Sequence, residues 1–427
     1  MNVSYRFTLA ALAAALAAHA QAADAYKFAF GPGKTPAGYT QVRGDTSYDA
    51  ARGYGLEHGA PNGAQPFLFS VDLPEGNYNV TVTLGDDAAP ATTTVKAEMR
   101  RLMLENVQTA AGQSLTRTFT VNVRTPQIAT SGNIAAGEVK LKVPRESVQE
   151  AIAWDRRLTL EFNGKHPAVR TLDIAPANVP TLFLLGDSTV CDQPGEPYNS
   201  WGQMLPRFFK PGVAVANHGE SGETYRDSIG RRRLDKILSV MKPGDTLVMQ
   251  FGHNDQKQIK EGKGGPFTTY KAEIKTHVEG VRARGGQPVI VSPMERRGFD
   301  EQGKVKPSLV EYAEAARQAA QELGVPFIDL NTMSKSIYEA LGPEQSKLAF
   351  AEPTPGHLDN THHNSYGSYE LAKAIVTGLR QARLPVAEYV VDDFQFDPGH
   401  PDPVASFSVP PSPTRTQERP LGDEAHK

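Results

Sequence analysis

From residue 181 onward the chain repeats one pattern. A short run of residues apolar on both sides is followed by a cluster of glycine and polar residues, then by a stretch of helical period. The apolar runs are 181–185, 213–216, 246–251, 288–291 and 326–330. A strand with no polar face must be covered on both sides, which is the situation of a parallel strand inside an α/β sheet. Between the runs, Leu234, Ile237, Leu238 and Met241 fall at i, i+3, i+4 and i+7. Ile274, Val278 and Val281 follow the same stripe more loosely, and Ala372, Ile375, Val376 and Leu379 mark a last helix. This alternation predicts a doubly wound α/β domain with about five parallel strands, over residues 180–391.

Residues 25–175 read differently. Phe69-Ser70-Val71-Asp72-Leu73 alternates, Pro74-Glu75-Gly76-Asn77 turns, and Tyr78-Asn79-Val80-Thr81-Val82-Thr83-Leu84 alternates again. That is a hairpin with one buried face. Two more period-two runs lie at 119–123 and 158–162, with frequent Gly and Pro between, so an all-β sandwich is expected. Ala175-Pro176-Ala177-Asn178-Val179-Pro180 reads as a linker. Residues 392–427 are rich in Pro and acidic residues and read as an extended or disordered tail without chemistry. The length of 427 residues agrees with such a division, at about 150 residues per domain.

At the N-terminus, Arg6 precedes a short Ala- and Leu-rich run, and Ala20-Gln21-Ala22 offers a small-residue cleavage site. This is the layout of a secretory signal peptide over residues 1–22, so an exported protein is expected, periplasmic or extracellular. No later run is apolar enough to span a membrane. The net charge of −3 does not advertise nucleic acid or an anionic membrane as a partner. Cys191 is the sole cysteine, which excludes an intrachain disulfide and a thiolate metal site.

In an open parallel sheet, ligands bind beyond the carboxyl ends of the strands. The segments there are Gly186-Asp187-Ser188-Thr189, Asn217-His218-Gly219-Glu220-Ser221-Gly222, Gly252-His253-Asn254-Asp255 and Asp359-Asn360-Thr361-His362-His363. Acyl transfer needs a nucleophile, a base, an acid that orients the base, and donors for the oxyanion. Ser188 supplies a hydroxyl and His362 a base. Asp359, three residues earlier, supplies the orienting acid. The Ser188 N–H, the Gly222 N–H and the Asn254 amide supply the donors. No cofactor is required. Simpler readings stand beside these: Ser188 as a helix cap, Cys191 as a rival nucleophile or a packing residue, and His363 as a rival to His362. Asp187 is expected to anchor the turn and His253 to be structural. His357, Asp359, His362 and His363 do not have the spacing of a zinc site, and no G-x-S-x-G elbow occurs. Lys257, Arg226, Arg296 and Arg297 lie near the strand ends and could grip an anionic group, although each reads first as a surface charge.

The Gly-Asp-Ser-Thr block, the downstream Gly, the Gly-His-Asn-Asp block and the Asp-x-x-His pair resemble the SGNH (GDSL-type) hydrolase superfamily over about residues 181–385. Within it the nearest resemblance is to the rhamnogalacturonan acetylesterases, carried also by Ser200-Trp201-Gly202 and Asp359-x-Thr361-His362. The resemblance implies Ser188 as nucleophile, Asp359 and His362 as its partners, and Gly222 and Asn254 as oxyanion donors. Gly219 is the other glycine of the second block; the family's spacing from the strand-ending Asn, here Asn217, favours Gly222. The implied reaction is removal of acetyl groups from pectic polysaccharide. Acetylxylan or another small ester on the same fold is the alternative, and a non-catalytic glycan-binding protein is a third. The N-terminal part, through Phe28-Ala29-Phe30-Gly31-Pro32-Gly33 and Arg52-Gly53-Tyr54-Gly55-Leu56, resembles galactose-binding-like sandwiches that bind sugar or simply pack against a catalytic domain.

Overall fold

Strands Thr181–Gly186, Ala214–Asn217, Thr246–Gln250, Gln287–Val291 and Phe327–Ile328 lie parallel, and nearly every residue in them is buried. They belong to a computed structural model that describes residues 25–422 apart from Pro32, Asn62 and Glu261. Counted in chain order, their spatial order is fifth, fourth, third, first, second. The direction of winding therefore reverses at Thr181–Gly186, and a crevice opens beyond its carboxyl end. Successive residues face opposite layers. Leu182 and Leu184 join a core with helix Ser365–Gln381, whereas Phe183 and Leu185 join one with helices Arg233–Val240 and Lys271–Ala283. Helix Val310–Leu323 was not apparent as a stripe of large aliphatics. It buries Tyr312, Ala315, Ala316, Ala319 and Ala320, which have the helical period but small side chains. No described helix is long and apolar enough to cross a membrane. The expected signal peptide, residues 1–22, lies outside the described residues.

The N-terminal half consists mainly of two sheets of largely antiparallel strands enclosing one apolar core, with Phe28, Phe67, Phe69, Val82, Phe119 and Phe162 among its members. One of these sheets does not stop at the sandwich. Strand Leu115–Val123 pairs in parallel with Ala214–Asn217 through Val121 and Val215, so a single ten-stranded sheet runs through both halves.

The linker expected at 175–180 is correspondingly tight. Strand Val169–Pro176 ends and Thr181–Gly186 begins after residues 177–180, and Asn77 Nδ2 donates to Thr181 Oγ1 across the connection at 2.9 Å. The prolines there end one strand and precede the next rather than loosening the chain. Residues 124–156 also leave the sandwich. Ile128, Ile134, Val139 and Trp154 pack into the layer built on Phe183 and Leu234.

Buried ion pairs fasten the halves together: Arg101 to Asp192 at 2.7 Å, Arg100 to Glu196 at 2.5 Å and Arg233 to Glu146 at 2.5 Å. Removing one partner of such a pair leaves an uncompensated charge, at a cost of about 3–5 kcal/mol.

Over its described residues, up to 422, the Pro-rich tail is extended and tied to the body of the protein. Lys96 Nζ donates to the Pro410 carbonyl and to Ser412 Oγ at 2.8 and 2.7 Å. Glu196 N–H donates to the Thr414 carbonyl at 2.9 Å, and Thr416 N–H to the Glu196 carbonyl at 2.8 Å. From there the chain passes directly over the crevice.

Candidate active site

Thr181–Gly186 delivers the first block, and its glycine is required by space. A Cβ on Gly186 would lie 2.4 Å from Val190 Cγ2 and 2.5 Å from the Gln250 carbonyl oxygen. The following turn is closed by Asp187. Its carbonyl accepts from Val190 and Cys191 N–H, each at 3.0 Å, and its Oδ1 accepts from Thr189 N–H and Oγ1 at 3.0 and 2.7 Å. Asp187 thus anchors the turn, and its Oδ2 faces His253 Nδ1 at 3.3 Å. Gln193 Nε2 holds the Ser188 carbonyl at 2.7 Å. The Ser188 side chain is thus set by its own backbone, on a residue only 2% exposed.

The last block arrives from the other side of the crevice. Ala351 N–H donates to the His362 carbonyl at 3.0 Å, Asp359 N–H to the Ala351 carbonyl at 2.8 Å, and Asn199 N–H to the His363 carbonyl at 2.9 Å. Asn364 then caps helix Ser365–Gln381, accepting from Gly367 N–H at 3.1 Å. Held in this way, His362 Nε2 lies 2.8 Å from Ser188 Oγ, and His362 Nδ1 lies 2.9 Å from Asp359 Oδ2. Asp359 Oδ1 accepts from Thr361 and His362 N–H at 2.8 and 2.9 Å. Burial alone would raise the Asp359 carboxyl. The hydrogen bond and charge of His362, together with a hydrogen bond from Arg419, outweigh it and hold the group well below the usual carboxylate range. His363 takes no part: its Nε2 meets Tyr338 OH at 2.8 Å, and burial pushes it down to about 3.

Gly222 has φ +75°, a conformation that favours glycine. Among the described residues no protein acceptor is recorded for its N–H or for that of Ser188. Asn254 Nδ2 donates to the Glu223 carbonyl at 3.1 Å, which ties the third block to the second. Gly219 is spent differently: its N–H binds Asn217 Oδ1 at 3.1 Å, and a Cβ there would sit 3.1 Å from Cys191 N. Cys191 is buried, with its Sγ 3.5 Å from Ser221 Oγ, and burial pushes its thiol well above the ordinary range.

A cavity of about 640 Å³ opens beside Asp359. Tyr198, Arg296, Arg297, Lys306, His357 and Arg419 are on its wall, and Asp359 is the one carboxylate among the lining residues. Arg226 instead pairs with Glu273 at 2.7 Å, and Lys257 is not on the wall. Tyr198 stands edge-on to the His362 ring at 6.0 Å, and burial, aided by the Asp359 charge, raises its hydroxyl to about 12. Tyr198, Gln193 and Arg419 carry no motif in the sequence that marks them as neighbours of Ser188.

A hydroxyl, an imidazole and a carboxylate in hydrogen-bonded series, at the reversal point of a doubly wound sheet and beside two backbone donors, have the arrangement that acyl transfer requires. The chain belongs to the GDSL-like lipase/acylhydrolase family, whose profile matches residues 184–367. It is similar to the rhamnogalacturonan acetylesterase RhgT of Bacillus subtilis (strain 168), with 38% identity over 220 residues, 49% of this chain and 94% of that one. The probable rhamnogalacturonan acetylesterase YesY of the same organism is 32% identical, over 50% of this chain and 98% of its own length. The crystal structure of the Bacillus subtilis protein YxiM is 25% identical with a TM-score of 0.47, covering 85% of this chain and 99% of that one.

Proposed function

We propose that the protein is an exported serine esterase that removes acetyl groups from pectic polysaccharide of the rhamnogalacturonan type. The hydrogen-bonded series Ser188–His362–Asp359 carries the reading of an esterase. Ser188 Oγ attacks the acetyl carbonyl while His362 Nε2 takes its proton. Asp359 keeps the remaining proton on Nδ1 and stabilises the imidazolium. The oxyanion is received by the Ser188 and Gly222 N–H groups and the second hydrogen of Asn254 Nδ2. Collapse breaks the bond to the sugar oxygen, which takes the proton from the His362 imidazolium and leaves as the free hydroxyl. Water, deprotonated by His362, then releases acetate from the acetyl-enzyme.

Loss of the Asn254 amide by Asn254→Ala is expected to lower kcat on 4-nitrophenyl acetate by about a hundred- to a thousandfold, the usual worth of one oxyanion donor. A fall of less than about threefold would remove Asn254 from that role.

The choice of a uronate-bearing substrate is supported by the cavity. Three permanent cations, Arg296, Arg297 and Lys306, stand on its wall, and its single carboxylate, Asp359, is already paired with Arg419. Galacturonate presents a carboxylate to them, whereas xylan's acetylated backbone sugars are neutral. A charge-assisted contact is worth about 1.5–3 kcal/mol. Acetate release from acetylated rhamnogalacturonan oligosaccharides should therefore exceed that from acetylated xylo-oligosaccharides by about tenfold or more. Lys306→Gln should shrink that ratio by up to about fivefold, the effect of one exposed ion pair. Equal rates on the two substrates would remove the pectic assignment and leave the esterase.

A further inference from the structure

The acyl site is closed by the chain's own C-terminal segment. Gly422 lies against both residues assigned to the oxyanion: a Cβ on it would be 2.2 Å from Asn254 Oδ1 and 2.7 Å from Gly222 Cα. Leu421 adds a second contact, with its Cβ 3.1 Å from where a Gly222 Cβ would stand. Three residues before Gly422, Arg419 reaches the other end of the catalytic series. Its Nε donates to Asp359 Oδ2 at 2.7 Å and its Nη2 to Asp359 Oδ1 at 3.0 Å. Pro420 between them is buried, and Gln417 stands on the cavity wall. Leu421 and Gly422 thus pack against Gly222 and Asn254, the residues between which an acetyl carbonyl has to be received. Arg419 meanwhile occupies the carboxylate that has to stabilise the imidazolium.

We propose that residues 417–422 form an internal plug, which must swing out of the oxyanion site before Ser188 can be acylated. The anchoring of the tail marks where the movement starts. Up to Thr416 the segment is fastened by backbone bonds to Glu196 and by Lys96. Beyond that point its polar ties include the Arg419–Asp359 pair, a bond from Glu418 N–H to Thr416 Oγ1 at 3.0 Å and an exposed contact of Glu418 with Gln149 at 3.3 Å. The plug's hinge is placed at Thr416–Gln417, after the last backbone bond to Glu196, with the Arg419–Asp359 pair as its latch. An enzyme held partly closed has its apparent efficiency reduced by the fraction of molecules that are open.

The test uses the full chain with two variants that weaken the closed form in different ways. Arg419→Gln removes the charged latch. Gly422→Ala puts a side chain where φ is +111° and where no space exists against Asn254 and Gly222. Both should raise kcat/KM for 4-nitrophenyl acetate by about tenfold or more, the factor expected on losing one charge-assisted pair. The rate of Ser188 sulfonylation by phenylmethylsulfonyl fluoride should rise in parallel. Unchanged or lowered values in either variant would overturn the plug and make the segment a fixed part of the site. The proposal rests on Ser188 being the nucleophile, and that is tested separately: adding Ser188→Ala should abolish sulfonylation in every background.

Discussion

Replacing Ser188 by alanine is expected to lower kcat for acetyl-ester hydrolysis by about a million-fold, the size of effect seen when a triad serine is removed. The hydroxyl is the atom that forms the acyl bond, and no neighbour can take its place. The next candidate by position, Cys191, faces Ser221 at 3.5 Å and is held as a thiol by burial. A residual rate above the water reaction should survive, because the backbone donors and Asn254 still stabilise a tetrahedral intermediate formed by direct attack of water. The fold should be spared. Ser188 Oγ makes its hydrogen bond to His362, and the neighbouring turn is built from Asp187 and Thr189. Acetate release and thermal unfolding measured on one preparation check both statements. A loss of less than about a thousandfold would move the nucleophile elsewhere.

Asp359→Asn is expected to cost about ten-thousandfold in kcat while leaving substrate binding largely intact. Asp359 Oδ2 accepts the proton on His362 Nδ1, which turns the unprotonated Nε2 toward Ser188 Oγ. An amide at that position can offer a donor to Nδ1 and so favours the tautomer with its proton on Nε2, which cannot accept from Ser188. The loop would keep its shape, since an asparagine oxygen can still accept from the Thr361 and His362 N–H groups. The same substitution weakens the Arg419 latch, yet opening the site cannot restore a base in the wrong tautomer. The effect is checked by the kcat of the variant beside its KM. A drop confined to KM would mean that Asp359 serves binding rather than the base.

The catalytic half was legible because two kinds of regularity coincide there. Doubly buried strands such as 181–185 and 246–251 have no polar alternation, and the stripe through Leu234, Ile237 and Leu238 has one apolar side. Together they specify a covered parallel sheet. Once the strands were placed, position put the blocks of Ser188, Gly222 and Asn254 after strand ends, whereas Asp359 and His362 lie beyond a further helix, Leu330–Gln345, and were marked by the three-residue Asp-x-x-His spacing and the family resemblance. The structure brings Ser188, His362 and Asp359 into hydrogen-bond distance on that edge.

Other features carry no such signal. Helix Val310–Leu323 presents alanines where a stripe of large aliphatics would have announced it. The pairing of Val121 with Val215 joins two edges, and edge pairing leaves no period in either strand. Arg419 lies in a Pro-rich stretch without helical or strand period. Its contact with Asp359 arises from the path of the tail, set by anchors as distant as Lys96 and Glu196.

The buried pairs Arg101–Asp192, Arg100–Glu196 and Arg233–Glu146 each join a residue of the N-terminal half to one of the catalytic half. This bears on recombination between relatives. A crossover near residue 178 could exchange the catalytic sequence and still preserve every strand, but it would separate each arginine from the carboxylate it neutralises. The halves are thus bound by a shared ledger of charge, and drift at one of these positions is tolerated only with a matching change at the other. In this chain the halves are therefore expected to be exchangeable only together, although each has a hydrophobic core of its own.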